Sequence, residues 1–556
     1  MRLSAPWPAA LTCLVWIPGT DAFGEAPAAA EAPAPAAASV SVKPAEGPPA
    51  VAVPKADRMT PRDLANWIDG RFESGWSDEE KGRHPVVDDA TFLRRTSLDL
   101  LGAIPSVATA RDFLADPSEY KRDLLVDNIL GLAGQKTRMT DRSAEHLARV
   151  WRRVLVPGNG PGAAMASRLD PWLKTQFANN VHYDDLARSL VLASPSPPAA
   201  VADAAPVSFV PQQGPIVLYE AIGATPENLA NSFARTFLGV RIGCAQCHDH
   251  PFAQWKQDDF WGVAAFFAGN KRGPNGEWIE EKVTKIRNEA NSTEYDARFL
   301  WGEVPVFPAD KTPRQVFADW MTSPSNPNFA STAVNRVWQY LCGRGLTQAV
   351  DDLDTATPEE RKILDELAEL FEKHDYDLRW LMAGICQSRT YQRTCASAED
   401  DVAGLRPVKT LLPEQVYDSL EQALALPVSK LDAGPRHNGQ MNELIARLNE
   451  AIGSTPEDFR GGIPQTLLMM NGQIVAKATD LDESRTLRAV VEAPFLKNEQ
   501  KLEALYLAAF TRQPTSEERE FLLRYVTTQT DQQKQKEAFG EIFWGLLNSP
   551  EFVLSR

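Results

Sequence analysis

Beyond residue 58, apolar residues recur at three- and four-residue spacing over most of the chain, the period of helices packed on one face. Thr225-Pro226-Glu227 opens one such helix, because threonine accepts from a first-turn amide and proline sits where no amide partner is needed. Leu229, Phe233 and Phe237 then share a face, and Gly239 ends the element. Thr357-Pro358-Glu359-Glu360 is a capping box ahead of Leu364, Leu367, Ala368 and Phe371. Thr515-Ser516-Glu517-Glu518 repeats the device ahead of Phe521, Leu522 and Tyr525. Residues 88–101 read as a helix starting at Asp88 or Asp89 and stopping before Gly102, and a helix near 256–268 puts Phe260, Val263, Ala264 and Phe267 on one face. Each of these stripes reads as core packing. Only 277–307 has strand character, with apolar positions at Trp278, Val283 and Ile286. The expectation is a mainly α protein of two packed helical domains, 59–270 and 310–556, with a small β insertion at 271–309 between them. No repeat of 20–50 residues is present.

The N-terminal segment breaks this pattern. Arg2 precedes a short apolar run at 5–17, below the ~20 residues a spanning helix needs, and Thr20-Asp21-Ala22 offers small residues at a cleavage point. Residues 1–22 therefore read as a signal peptide, and the mature chain has no transmembrane segment. Residues 23–58, nearly all Ala, Pro, Glu and Val, read as an extended linker. A second Ala/Pro stretch at 193–206 reads as a long loop. The expected location is outside the cytoplasm, in the periplasm or cell envelope.

Length and charge narrow the function. A chain of 556 residues exceeds one ordinary core. With 58 basic and 74 acidic residues the net charge is −16, which repels phosphate backbones and argues against nucleic acid as a partner. Six cysteines are too few for a disulfide scaffold, so each needs its own explanation.

One motif carries sharp chemistry. Residues 238–252 contain Cys244-Ala245-Gln246-Cys247-His248, a CxxCH, expected by chance in about one such chain per thousand. Two thiols at this spacing can each add to a haem vinyl group, and His248 then ligates the iron. The sequence offers no evident second axial ligand, since the nearest downstream methionine is Met321. His250 extends the motif to four donors, which also suits zinc or another transition metal through Cys244, Cys247, His248 and His250. A redox-active or structural disulfide between Cys244 and Cys247 is the third reading. Trp255, Phe260, Trp261, Phe266 and Phe267, with Phe252, surround the motif with aromatic bulk, as pocket wall or as core.

Other groups read better as structure than as sites. Asn335, Arg336 and Arg344, with Trp338 and Tyr340, offer the amide, guanidiniums and aromatics of a ligand pocket, but read better as a helix and turn whose arginines have Asp351, Asp352 or Asp354 within reach as partners. Those aspartates lack calcium-loop spacing and read as a solvated acidic loop. His146 with Arg149, Arg152 and Arg153 makes a basic helix face, open to a haem propionate or to ion pairing. His84 and His182 are isolated candidates for a distal ligand. Cys342, Cys386 and Cys395 follow no metal spacing, although Cys386 and Cys395 lie near enough in sequence to bridge. No G-x-S-x-G, H-E-x-x-H, phosphate loop or dinucleotide fingerprint occurs.

The segment FLGVRIGCAQCHDHPFAQWKQDDFWGVAAFFAG closely resembles part of large exported planctomycete proteins carrying tandem domains of unknown function, numbered fifteen-forty-nine and fifteen-fifty-three and described as cytochrome-c-associated. FLRRTSLDLLGAIPS at 92–106 resembles the family's opening motif, and the block at 317–354 resembles the start of its second domain. Residues 377–394, 505–518 and 543–556 resemble later blocks, so the likeness spans roughly 60–556. The resemblance implies export and no established activity. Its cytochrome label rests on the same CxxCH. Three functions follow as expectations. The first is a redox or electron-transfer protein with haem c at Cys244, Cys247 and His248, working with a redox or envelope protein partner. The second is a non-haem metal-dependent envelope enzyme, such as a polysaccharide-related hydrolase. The third is a non-catalytic envelope interaction protein. Whether the chain is an enzyme stays open at this point.

Overall fold

A computed structural model of the chain describes residues 59–158, 161–193, 214–251, 253–272, 278–396, 404–425, 447, 475, 481 and 484–556. The expected signal peptide, the linker, Phe252 and most of the 193–206 stretch lie outside the described residues. The protein is mainly α, in two packed helical parts with small two-stranded sheets. No described helix is long and apolar enough to cross a membrane.

The sequence signals place the helices well. Thr225 caps Pro226–Phe237 by accepting from the Asn228 amide. Complete capping boxes start Pro358–Lys373 at Thr357 and Ser516–Thr527 at Thr515. Asp88 caps Asp89–Leu101, which ends on Gly102 in the left-handed conformation. Each such cap contributes about 1 kcal/mol. One stripe is corrected. Phe521 is 69% exposed and Tyr525 is also exposed, while Val526 is the buried residue of Ser516–Thr527. The caps locate a helix but do not set which face turns inward.

The expected strand segment forms two antiparallel hairpins and then stops. Asn270–Arg272 pairs with Trp278–Glu280, and Lys285–Asn288 pairs with Thr293–Asp296. Residues 297–307 form no strand. There Phe299 stacks on Trp320, and Phe307 packs against Phe266, so this stretch is held by aromatic contacts rather than a ladder.

Two cores hold the molecule. The larger spans Leu64 to Tyr391, joined by Leu507, and includes the helices Pro61–Glu73, Arg138–Leu155, Phe329–Cys342 and Leu378–Gln387. Pro61–Glu73 lies directly on Leu378–Gln387, where a Cβ on Gly384 would sit 2.4 Å from Leu64 Cδ2. Only glycine permits that approach. The smaller core gathers Leu411 to Phe552. Asp89–Leu101 lies between them, buried from Phe92 to Leu100, giving Phe92, Leu93 and Leu100 to the larger core and Leu98 to the smaller. A short ladder, Lys409–Thr410 against Leu554–Ser555, closes the smaller part.

Candidate functional site: the CxxCH loop and its supports

The helix Pro226–Phe237 delivers the chain to the motif. Gly239 follows at φ +58°, where a side chain would meet Thr332 Oγ1 at 2.7 Å and Leu353 Cγ at 2.9 Å. A tight 3-10 turn, Gly243–Gln246, then carries Cys244 and leads into Cys247. Both thiols are free and exposed. His248 is exposed too, and its Nδ1 lies 2.8 Å from the carbonyl oxygen of Asp249. A carbonyl only accepts, so Nδ1 carries a proton, and in the neutral ring Nε2 keeps its lone pair.

His250 is held differently. Its Nδ1 accepts from the Ala253 amide at 2.9 Å, and its own amide donates to Trp255 O at 2.7 Å. The neutral ring therefore has its proton on Nε2. Among the described residues, no group of three or more His, Cys, Asp or Glu stands close enough to hold a metal ion. The four donors of the motif share a loop without converging on a point.

The loop is pinned from beneath. Gln246 O accepts from the indole of Trp261 at 3.1 Å, and Asp249 Oδ1 accepts from the Gln257 amide at 3.0 Å. Trp255, Phe260, Trp261, Phe266 and Phe267 are all buried, so these aromatics form core under the motif. Met321 is likewise fully buried. On the other side stands the acidic loop 351–354. Asp351 pairs with Arg241 Nε at 3.0 Å, Asp354 Oδ2 accepts from Trp255 Nε1 at 2.8 Å, and the Leu353 amide donates to Gly239 O at 2.7 Å. Burial, with Asp354 beside it, pushes the Asp352 carboxyl up from its ordinary value. These aspartates act as a brace for the motif.

The remaining candidates are structural. Asn335 holds the following turn through Thr347 Oγ1 at 2.7 Å and the Leu346 amide at 2.7 Å. Arg336 donates to the carbonyls of Arg235 and Thr236 at the end of Pro226–Phe237. The basic face is ion-paired: Arg149 with Asp418 at 2.8 Å, Arg152 with Asp170 at 2.8 Å, and Arg153 with Glu414 at 2.7 Å. His84 is buried, and His182 precedes Tyr183–Val191. Cys342, Cys386 and Cys395 are free thiols, the first two buried; Arg95 Nη2 lies 3.8 Å from Cys395 Sγ.

The sequence reading missed a second cluster, at the seam between the cores. Asp99, 1% exposed, accepts from Lys409 Nζ at 2.7 Å, Tyr391 Oη at 2.8 Å and Arg406 Nη1 at 3.0 Å. Burial alone would raise its pKa, but Lys409 and Arg406 hold it below the ordinary value. Tyr340 donates to Asp99 O and accepts from His146 Nε2 at 2.6 Å. Burial lowers the His146 pKa to about 3, so the ring is neutral. The available signal was two arginines and an aspartate inside a helix whose Phe92, Leu98, Leu100 and Leu101 fall on more than one side.

Comparison with known families now settles kinship. Residues 67–272 match the family model PSCyt2, described as a protein of unknown function (DUF1549). Residues 313–431 match PSD1, described as a protein of unknown function (DUF1553). The chain belongs to this tandem-domain family. No curated protein and no solved structure matches it. The CxxCH loop falls in the first matched segment and its aspartate brace in the second, so the tandem arrangement is what completes the motif's surroundings.

Proposed function

We propose that this tandem-domain protein is exported to the periplasm or cell envelope and carries a covalently attached c-type haem, with a redox or electron-transfer role. The observation that carries the reading is the His248 ring: Nδ1 is committed to Asp249 O, which orients the imidazole and leaves Nε2 available. Cys244 and Cys247 would hold the macrocycle, and His248 would ligate its iron. Both thiols are free, exposed and on a short turn, as attachment from outside requires. Bound there, haem supplies one-electron transfer at a potential set by its ligands and surroundings. The chain's own residues fix the loop. The Asp351 and Asp354 brace limits its movement, and the buried Trp255 and Trp261 give it an apolar floor.

The ligand chemistry favours this reading over a four-donor metal centre. His250 spends Nδ1 on the Ala253 amide, and the motif's donors do not converge. The test is intact mass of protein matured in a host with c-haem machinery. One added haem, with Cys244 and Cys247 both protected from alkylation, is expected. An unmodified mass with both thiols alkylated overturns the reading.

A further inference from the structure

Three tryptophans run in contact from beneath the CxxCH loop toward the surface. Trp255 is buried under the motif, and its carbonyl oxygen accepts from the His250 amide at 2.7 Å. Its ring lies 6.0 Å, centroid to centroid, from that of Trp301. Trp301 in turn lies 5.6 Å from Trp320, on the helix Pro313–Met321. Both separations are those of rings in contact. Trp255 is 4% exposed, while Trp301 and Trp320 are half-buried, so the line climbs from the core toward solvent.

The indole N–H groups at the inner end are partnered unequally. Trp255 donates to Asp354 Oδ2 at 2.8 Å, so a carboxylate oxygen stands in line with its proton. Trp301 Nε1 is buried without a hydrogen-bond partner among the described residues. An unpartnered buried N–H is costly, and plain packing would be served as well by phenylalanine. Redox chemistry gives tryptophan a reason to stand there. Indole can give up one electron, and the oxidised ring then readily sheds its N–H proton. Trp255 can pass that proton to Asp354 and take it back. Trp301 has no acceptor, keeps the positive charge, and so draws an electron from the next ring.

We propose that Trp255, Trp301 and Trp320 form a conduit that carries single oxidising equivalents from the CxxCH loop to the surface. The inference rests on the redox reading of that loop and extends it. Indole yields an electron only to a strong oxidant, so the oxidant served is of the peroxide class. Reducing one hydrogen peroxide to two waters takes two electrons and two protons. Each electron leaving Trp255 is replaced from Trp301, then from Trp320, and last from a dissolved quinol. One quinol, becoming a quinone, supplies both electrons and releases two protons, which closes the balance. The Trp255 proton crosses to Asp354 as each electron leaves and returns as it is replaced.

The haem-free full chain tests this, so the result stands apart from whether haem attaches. A ruthenium polypyridyl maleimide is fixed to the exposed Cys244, with Cys13, Cys247 and Cys395 replaced by serine and Cys342 and Cys386 protected by burial. A flash with hexaammineruthenium(III) present leaves a strong one-electron oxidant on the loop, and transient absorption follows it. The expected record is a tryptophan radical that decays faster as hydroquinone is added. Trp255→Phe should lose the radical. Trp301→Phe and Trp320→Phe should keep it but lose the response to hydroquinone. Asp354→Asn, which keeps a hydrogen-bond acceptor but takes no proton, should change the radical spectrum from the neutral form to the cation. Trp172→Phe, half-buried outside the line, should change nothing. An undiminished radical in folded Trp255→Phe, or an undiminished hydroquinone response in folded Trp301→Phe and Trp320→Phe, overturns the conduit and leaves the haem reading to its own mass test.

Discussion

Trp255 donates its indole N–H to Oδ2 of Asp354 at 2.8 Å, a bond between positions 99 residues apart. Trp255 is buried beneath the CxxCH loop, and its carbonyl holds the amide of His250. The bond therefore transmits the position of the 351–354 loop to the motif.

Asp354→Ala should cost about 1–3 kcal/mol, because a buried indole N–H loses its acceptor. Asp354→Asn keeps an acceptor oxygen and should cost less. Urea denaturation of both variants measures the difference. Proteolysis near 244–251 should quicken in the alanine variant. Equal stability of wild type and Asp354→Ala would show that the brace is not energetically real.

Gly239→Ala adds a Cβ at a left-handed residue, against Thr332 Oγ1 and Leu353 Cγ. Strain and crowding together should cost about 1–3 kcal/mol. The control, Gly70→Ala, meets no atom within 4 Å in a helix interior and should be neutral or stabilising. The midpoint of thermal unfolding reads both.

Asp99→Asn removes the carboxylate that pairs with both Lys409 and Arg406. Breaking a buried ion cluster this way should cost about 3–5 kcal/mol. Because Lys409 begins the ladder to Leu554–Ser555, the loss should show first as weakened hydrogen-exchange protection there. A loss below about 1 kcal/mol would contradict the cluster's role in joining the cores.

Acid sensitivity should come from His146. Its folded pKa, about 3, lies below the ordinary histidine value because burial disfavours the cation. Below pH 6.5 the unfolded chain binds a proton there that the folded chain does not. Stability then falls as pH drops from 6.5 toward 3, by about 2 kcal/mol from this group at pH 5. His146→Gln should flatten the profile over that window. An unchanged slope would assign the effect elsewhere.

What the sequence made legible was local. The boxes at Thr357 and Thr515, and the Thr225-Pro226 start, work through residues three apart, so they can be read without knowing the partner helix. The exposed Phe521 marks the limit, since facing depends on what packs opposite. The CxxCH was visible as spacing, but its support was not. Asp351 and Asp354 looked like a solvated acidic loop because Arg241 and Trp255 are distant in sequence. Asp99, Arg406 and Lys409 were invisible for the same reason: three charges from separated segments meet only once the two cores dock.

Covalent haem at the CxxCH loop is tested by the absorption spectrum of protein matured with c-haem machinery, taken before and after acid-acetone extraction. The expected result is a strong Soret band that survives extraction, is lost when Cys244 and Cys247 are both changed to Ser, and shifts without loss of attachment in His248→Ala. A colourless protein, or colour that extracts completely from the wild type, would contradict it.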